Sequence, residues 1–263
     1  MFILGFAGPW TAGLLATEAV TASEPPVLVA VVGDSTVQDY PANDARHGWG
    51  QELPAFLAAQ VTVINHAAGG RSSKTFREEG RWATVLAAKP NVVLIQFGHN
   101  DSHDPSRPEA VDAQTAFPDN LRRYVAEAKA AGIVPVLVTP PPRRVFAADG
   151  SVSGMLAPYA RAIRAVAKET AVPCIDLFAN GGAELVKRGN AASEPLFCSA
   201  TDRSHFSRAG AQMLARMVAE GLLAAAGPLG KLPRDQAAWP AVLSEGVAEK
   251  AVPEKAVPET AVP

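Results

Sequence analysis

The chain has 263 residues, which suits one large domain or two small ones with a sizeable core. Its formal net charge is −2 at pH 7. This charge argues against a nucleic-acid-binding protein, because such proteins usually carry a strong basic excess or patch. No apolar run beyond the N-terminal region is long enough to cross a bilayer, so we expect no membrane span.

Residues 1–22 resemble a secretory signal peptide. Apolar residues dominate this segment, and the small residues at 20–22 provide a cleavage site. We therefore expect a secreted or periplasmic protein. The alternative is a loosely packed N-terminal arm.

The chain has two cysteines, Cys174 and Cys198. In an exported protein this number permits one disulfide. Cys174 also lies in an apolar run, where a cysteine behaves as a small core residue. The sequence leaves the pairing open.

Short apolar runs alternate with amphipathic segments along most of the chain. The runs are rich in β-branched residues, which favours strands at 27–32, 61–65, 91–97, 133–138 and 172–177. Helices are predicted at 48–59, 81–88, 117–131, 156–170, 180–188 and 207–226. Buried strands separated by helices predict an α/β fold, a three-layer α/β/α sandwich with a five-stranded parallel sheet.

One domain is predicted over residues 25–233. Beyond it, residues 234–263 end in a repeat with regularly spaced prolines. Proline interrupts helices and central strands, so this segment is predicted to be an extended or disordered tail.

The first predicted strand ends in Gly33-Asp34-Ser35-Thr36. Open α/β folds bind their ligands at the carboxyl ends of parallel strands, so this turn lies where a site is expected. We interpret Ser35 as a nucleophile. The alternative is that Asp34 or Ser35 only caps the next helix.

A serine nucleophile needs a base and a group that orients the base. His205 is the candidate base for Ser35, and Asp202 precedes it by three residues. Asp176, at the end of the fifth predicted strand, is the alternative acid.

Acyl transfer also needs donors for the oxyanion. The candidates are the backbone N–H of Ser35, the backbone N–H of Gly70 and the side-chain amide of Asn100. Gly69 is the alternative to Gly70. Asn100 could instead satisfy loop backbone groups.

Taken in order, the blocks around Ser35, Gly70, Asn100 and His205 resemble the signature of the SGNH, or GDSL-like, hydrolase superfamily. The resemblance covers residues 27–226. It implies a flavodoxin-like sandwich, Asp202 as the orienting acid, and no metal or other cofactor.

The motifs at 33–36, 48–51, 65–73, 97–101 and 140–144 are similar to those of rhamnogalacturonan acetylesterases, which remove acetyl groups from pectin backbones. This resemblance implies a serine esterase that forms an acetyl-enzyme on Ser35 and acts on an acetylated polysaccharide or oligosaccharide. We expect a monomer. The alternatives are an SGNH lipase or thioesterase for longer acyl groups, and a non-catalytic carbohydrate-binding module with the same fold.

Three arginines, Arg71, Arg143 and Arg144, flank the predicted site. They are candidates for binding acidic, galacturonate-containing substrates by charge. The competing interpretation is that they form surface ion pairs.

A dense group of ionisable residues follows the third predicted strand: His99, Asp101, His103 and Asp104. The spacing of the two histidines would suit a metal site on a helix. The surrounding Asn, Asp and Pro residues instead predict a solvated loop, so no metal site is expected.

Overall fold

The five apolar runs form one sheet. The structure is a computed structural model that describes residues 27–226. Its strands are Val27–Val32 (β1), Val61–Asn65 (β2), Val92–Gln96 (β3), Val134–Val138 (β4) and Cys174–Ile175 (β5). The strands lie in the order β2-β1-β3-β4-β5 and every pairing is parallel. The predicted α/β class and five-stranded parallel sheet are confirmed.

Seven helices connect or follow these strands in the described part of the chain. They are Trp49–Glu52 (α1), Thr75–Glu78 (α2), Arg81–Ala87 (α3), Ala116–Ala130 (α4), Ala157–Glu169 (α5), Leu177–Ser193 (α6) and Arg208–Ala226 (α7). Two short 3-10 helices cover Leu53–Phe56 and Glu194–Leu196. The structure places α3, α4, α5 and α7 close to their predicted bounds. The short helix α2 has no predicted counterpart.

The sheet is covered on both faces, which gives the predicted three layers. Successive strand residues point to opposite faces. Val29 and Val31 therefore pack into a cluster with residues of α1, α6 and α7. Ala30 and Val32 pack into a second cluster with residues of α3, α4 and α5. Burial on both faces explains why β3 is apolar at nearly every position.

Two predicted elements are shorter than expected. The helix predicted at 48–59 is α1 followed by a 3-10 turn, because Pro54 lacks the N–H that an α-helix would need there. The strand predicted at 172–177 is reduced to the two residues of β5. Pro173 cannot donate to the sheet, and Asp176 already caps α6.

The helix predicted at 180–188 is longer than expected. It belongs to α6, which breaks at Gly189, where φ is 76°. Such a φ is readily adopted by glycine, which explains why the break falls at this residue.

Several predictions concern residues that the structure does not describe. The signal peptide at 1–22, the domain limits at 25 and 233, and the tail at 234–263 lie outside the described residues. Both cysteines are free, and Cys174 is exposed on the edge strand. Between residues 27 and 226, the helices are too short or too polar to cross a membrane.

The strand order fixes where a ligand site belongs. The chain passes from β1 to β2 on one side, and then returns to place β3 on the other side of β1. Ligands in open α/β sheets bind at such a switch point, beyond the carboxyl ends of the strands. The turns after β1, β2 and β3 all reach this edge.

Candidate active site

Three side chains form a continuous hydrogen-bonded chain at this edge. Ser35 Oγ lies 3.0 Å from His205 Nε2, and His205 Nδ1 lies 2.8 Å from Asp202 Oδ2. A carboxylate beside Nδ1 holds the ring proton on that nitrogen and leaves Nε2 to accept from Ser35. The arrangement has the geometry needed to activate a serine hydroxyl.

The Asp202 carboxylate is held by its own loop. Its Oδ1 accepts the backbone N–H groups of Ser204 and His205, each at 2.8 Å. Partial burial opposes ionisation, but these two N–H groups and the His205 ring together lower the pKa of Asp202 to about 2. Asp202 is therefore an anion at neutral pH, as an acid that orients His205 must be.

The alternative acid, Asp176, has other partners. Its Oδ1 caps α6 by accepting the N–H of Ala179 at 3.1 Å and also accepts the hydroxyl of Thr139 at 2.9 Å. Its Oδ2 pairs with Arg164 at 2.7 Å. The structure thus brings Asp202, and not Asp176, to His205.

The turn that carries Ser35 is braced from the core. Asp34 Oδ1 accepts both the N–H and the hydroxyl of Thr36, at 2.9 and 2.7 Å. Gln96 Nε2 donates to Thr36 Oγ1 at 2.8 Å, and Trp49 Nε1 donates to Gln96 Oε1 at 2.6 Å. This buried chain links the turn to β3 and α1, so Ser35 sits on a rigid support.

The structure distinguishes the two glycines after β2 by their hydrogen bonds. The N–H of Gly69 donates to Gln38 Oε1. Gly70 has a φ of +78°, and its N–H has no acceptor among the described residues. The Ser35 N–H likewise has no partner within residues 27–226. Two of the expected oxyanion donors are therefore available to a ligand.

Asn100 combines a structural bond with a free donor. Its Nδ2 donates to the backbone oxygen of Arg71 at 2.9 Å. A side-chain amide has two N–H groups, so one remains for an oxyanion. The bond also holds the turn after β3 against the turn that contains Gly70.

The cluster after β3 is not the solvated loop that the sequence predicts. His99 and Asp101 are 4% and 1% exposed, so the prediction is wrong for these two residues. The turn follows the central strand directly, and the hydroxyl of Tyr159 on α5 donates to the backbone oxygen of Asp101 at 3.0 Å. Burial lowers the pKa of His99 to about 4, so its ring is neutral. His103 instead pairs with Glu109 at 2.7 Å.

Asp101 joins the two turns that carry the oxyanion candidates. Its Oδ1 accepts the N–H and the hydroxyl of Ser73, at 3.0 and 2.6 Å. Its Oδ2 accepts the N–H of Gly98 at 2.9 Å. Sequence reasoning missed this role because the partners lie in different parts of the chain.

Replacing Asp101 with alanine is expected to destabilise the protein by about 2–4 kcal/mol, because three buried donors lose their acceptor. Urea unfolding of wild type and variant measures the change. Asp104→Ala is the matched control, since the Asp104 carboxylate bonds, within residues 27–226, to Ser106 in its own exposed turn. Equal losses in the two variants would contradict the joining role of Asp101.

The three predicted arginines have different environments. Arg71 pairs with Glu79 at 3.0 Å and donates to the backbone oxygen of Gly69 at 2.8 Å. Arg144 is 5% exposed and donates to the backbone oxygen of Ala200 at 2.6 Å. Arg144 therefore supports the loop before Asp202, and its burial contradicts the predicted substrate contact. Arg143 makes one long bond, from Nη2 to the backbone oxygen of His99 at 3.4 Å.

A family model for GDSL-like lipases and acylhydrolases matches residues 31–213, which include every member of the site described above. The chain belongs to the GDSL-like lipase/acylhydrolase family. Membership of this family and the similarity to the acetylesterases described next make the protein a carboxylic ester hydrolase.

Two curated relatives of this GDSL-like hydrolase come from Bacillus subtilis strain 168. Rhamnogalacturonan acetylesterase RhgT is 36% identical over 212 residues, which are 75% of this chain and 90% of RhgT. Probable rhamnogalacturonan acetylesterase YesY is 35% identical over 199 residues, or 74% of this chain and 91% of YesY.

Solved structures show the same fold. The crystal structure of the Bacillus subtilis protein YxiM superposes with a TM-score of 0.67 at 29% identity. The match covers 76% of this GDSL-like hydrolase and 56% of the YxiM chain. Axe2, an acetylxylan esterase from Geobacillus stearothermophilus, has a TM-score of 0.61 at 22% identity over 75% of this chain and 94% of its own.

Proposed function

We propose that this protein is a serine acetylesterase that removes acetyl groups from pectic rhamnogalacturonan. The observation that carries the proposal is the hydrogen-bonded chain Ser35–His205–Asp202 at the switch point of the sheet. The choice of substrate is supported by the identity to RhgT and YesY over most of their lengths.

In the proposed first step, Ser35 Oγ attacks the acetyl carbonyl carbon while His205 Nε2 takes the hydroxyl proton. Asp202 stabilises the imidazolium that results. The N–H groups of Ser35 and Gly70 and the amide of Asn100 donate to the oxyanion. His205 then protonates the departing sugar oxygen, which leaves an acetyl group on Ser35.

In the second step, His205 takes a proton from water, and the resulting hydroxide attacks the acetyl-enzyme. The tetrahedral intermediate uses the same oxyanion donors. Its collapse releases acetate, and His205 returns the proton to Ser35. Every proton transfer passes through one histidine, so the loop that holds His205 must keep its position throughout.

Acetate release from a panel of acetylated polymers tests the proposal. Acetylated rhamnogalacturonan should give the highest kcat/KM, above acetylated homogalacturonan and acetylated xylan. A parallel series of acetyl and octanoyl chromogenic esters separates an acetylesterase from a lipase or thioesterase. Faster cleavage of octanoyl esters would overturn the acetylesterase proposal, and faster release from xylan would overturn the choice of polymer.

Export to the periplasm or the medium is part of the same proposal, since a polymeric substrate lies outside the cell. It rests on the resemblance of residues 1–22 to a signal peptide. Edman sequencing of the protein recovered from the medium or periplasm should show a new N-terminus after residue 22. The monomeric state stays a prediction.

A further inference from the structure

Some N–H groups of the Arg143 guanidinium have no acceptor among residues 27–226. Its Nε is buried and has no hydrogen-bond partner among residues 27–226. Within the same residues, its Nη2 makes only the long bond to His99 O, at 3.4 Å. Its Nη1 has no acceptor in the described part of the chain and is not among the buried unpartnered atoms, so this edge of the guanidinium is not enclosed by those residues.

The charge of Arg143 also lacks a close counter-ion. In the described part of the chain, no carboxylate oxygen lies within 4.0 Å of its guanidinium, whereas Arg71 pairs with Glu79. Burial lowers the pKa of Arg143, and the more distant carboxylates of Asp34 and Asp202 raise it. A guanidinium nevertheless stays protonated in proteins. The result is a positive charge, not neutralised by a direct ion pair, near the carboxylate of the triad.

The loop around Arg143 is fixed to the loop that carries the catalytic candidates. The N–H of Arg144 donates to the backbone oxygen of Arg203 at 2.8 Å. Arg203 lies between Asp202 and His205 in sequence. Arg143 is therefore held next to the triad by main-chain contacts and does not depend on a flexible surface loop for its position.

Buried polar atoms without partners gather around Arg143. Of the six such side-chain atoms in residues 27–226, four belong to this region: Arg143 Nε, Asp34 Oδ2 and the two ring nitrogens of His99. The His99 ring also interacts with the backbone of Pro141, and electrostatically with Asp34, Arg143 and His205. Buried polar atoms are costly when they stay unpaired, so this region favours a polar ligand over an apolar one.

We propose that Arg143 determines specificity by binding the carboxylate of a uronate residue in the substrate, at or next to the acetylated sugar. This inference rests on the proposed function. A guanidinium binds a carboxylate through two parallel hydrogen bonds, and the open edge at Nη1 is placed for such contact. The bond from Nη2 to His99 O and the partial burial of the side chain restrict the guanidinium before the substrate arrives, which reduces the entropy lost on binding.

The test compares two forms of one substrate. An acetylated, galacturonate-containing oligosaccharide is offered with free carboxylates and with the same carboxylates methyl-esterified. Wild type should prefer the free acid. In Arg143→Gln this preference, measured as the ratio of the two kcat/KM values, should fall about tenfold or more, mainly through KM for the free acid, because a charge-assisted bidentate contact is lost.

Two further variants complete the experiment. Arg123→Gln removes the same charge from an exposed position on α4 and should change the ratio by less than about twofold, because exposed charges at long range are screened. Arg143→Lys keeps the charge without the planar fork and should give an intermediate ratio. If Arg143→Gln does not fold, the ratio of the two kcat/KM values is compared between wild type and Arg143→Lys.

An unchanged ratio in the Arg143 variants would overturn the inference. So would an equal fall of kcat on both substrates with a shifted pH profile, since Arg143 would then act on the triad through Asp202. Failure of wild type to release acetate from either form would instead overturn the proposed function, and the inference would fall with it.

Discussion

Replacing Ser35 with alanine is expected to lower kcat for acetyl esters by at least about 10⁴-fold, because the acetyl-enzyme can no longer form. Acetate release and hydrolysis of a chromogenic acetyl ester measure the loss. A fluorophosphonate probe should label wild type and leave the variant unlabelled. Labelling of wild type would also count against the alternative of a non-catalytic carbohydrate-binding module.

Urea unfolding of Ser35→Ala and the activity of a second serine variant serve as controls. Among the described residues, Ser35 Oγ bonds only to His205, so the alanine variant should unfold in urea close to wild type. In the part of the chain that the structure describes, the Ser106 hydroxyl bonds only to Asp104, in an exposed turn. Ser106→Ala should therefore keep kcat within about twofold. Full activity in Ser35→Ala would overturn the proposed mechanism.

The second large effect is expected for Asp202→Asn, which should lower kcat by about 10⁴-fold. The amide keeps the size of the side chain but no longer holds the correct tautomer of His205 or stabilises the imidazolium. Acetyl-ester hydrolysis under saturating substrate measures the loss. Asp176→Asn is the matched control, since Asp176 caps α6 and does not contact His205, and a comparable loss there would contradict the assignment.

Ionisation of Asp202 should make the folded protein more stable at neutral pH than at acidic pH. Its pKa in the folded protein is about 2, below the usual value for an aspartate of 3.8. The stabilisation is therefore fully present above about pH 4 and is lost as the pH falls through about 2. The difference in unfolding free energy between wild type and Asp202→Asn should narrow from pH 7 to pH 3 in urea titrations. A difference that widens on acidification would contradict this.

The positions of the main site residues in the fold were predictable, because local sequence patterns determine them. A β-branched apolar run followed by Gly33 places Ser35 at a strand end, and parallel strands bring such ends to one edge. The same logic placed Asn100 after β3. Asp202 and His205 share a short loop, so their contact needed little knowledge of the tertiary structure.

The remaining features depend on contacts between distant segments. Gly69 and Gly70 are equivalent in sequence, and only the bond from Gly69 to Gln38 distinguishes them. The burial of Asp101 depends on Ser73, which lies 28 positions earlier in the chain. The different environments of Arg143 and Arg144 follow from which side of one loop faces the interior.

The bond between Ser35 and His205 joins residues 170 positions apart. Long-range contacts form late in folding, because the entropy of closing a long loop must be overcome before the contact adds stability. On the ribosome, β1 to β4 emerge well before His205 does. Recovery of esterase activity during refolding would therefore report the docking of the His205 loop, whereas recovery of helical signal would report earlier events.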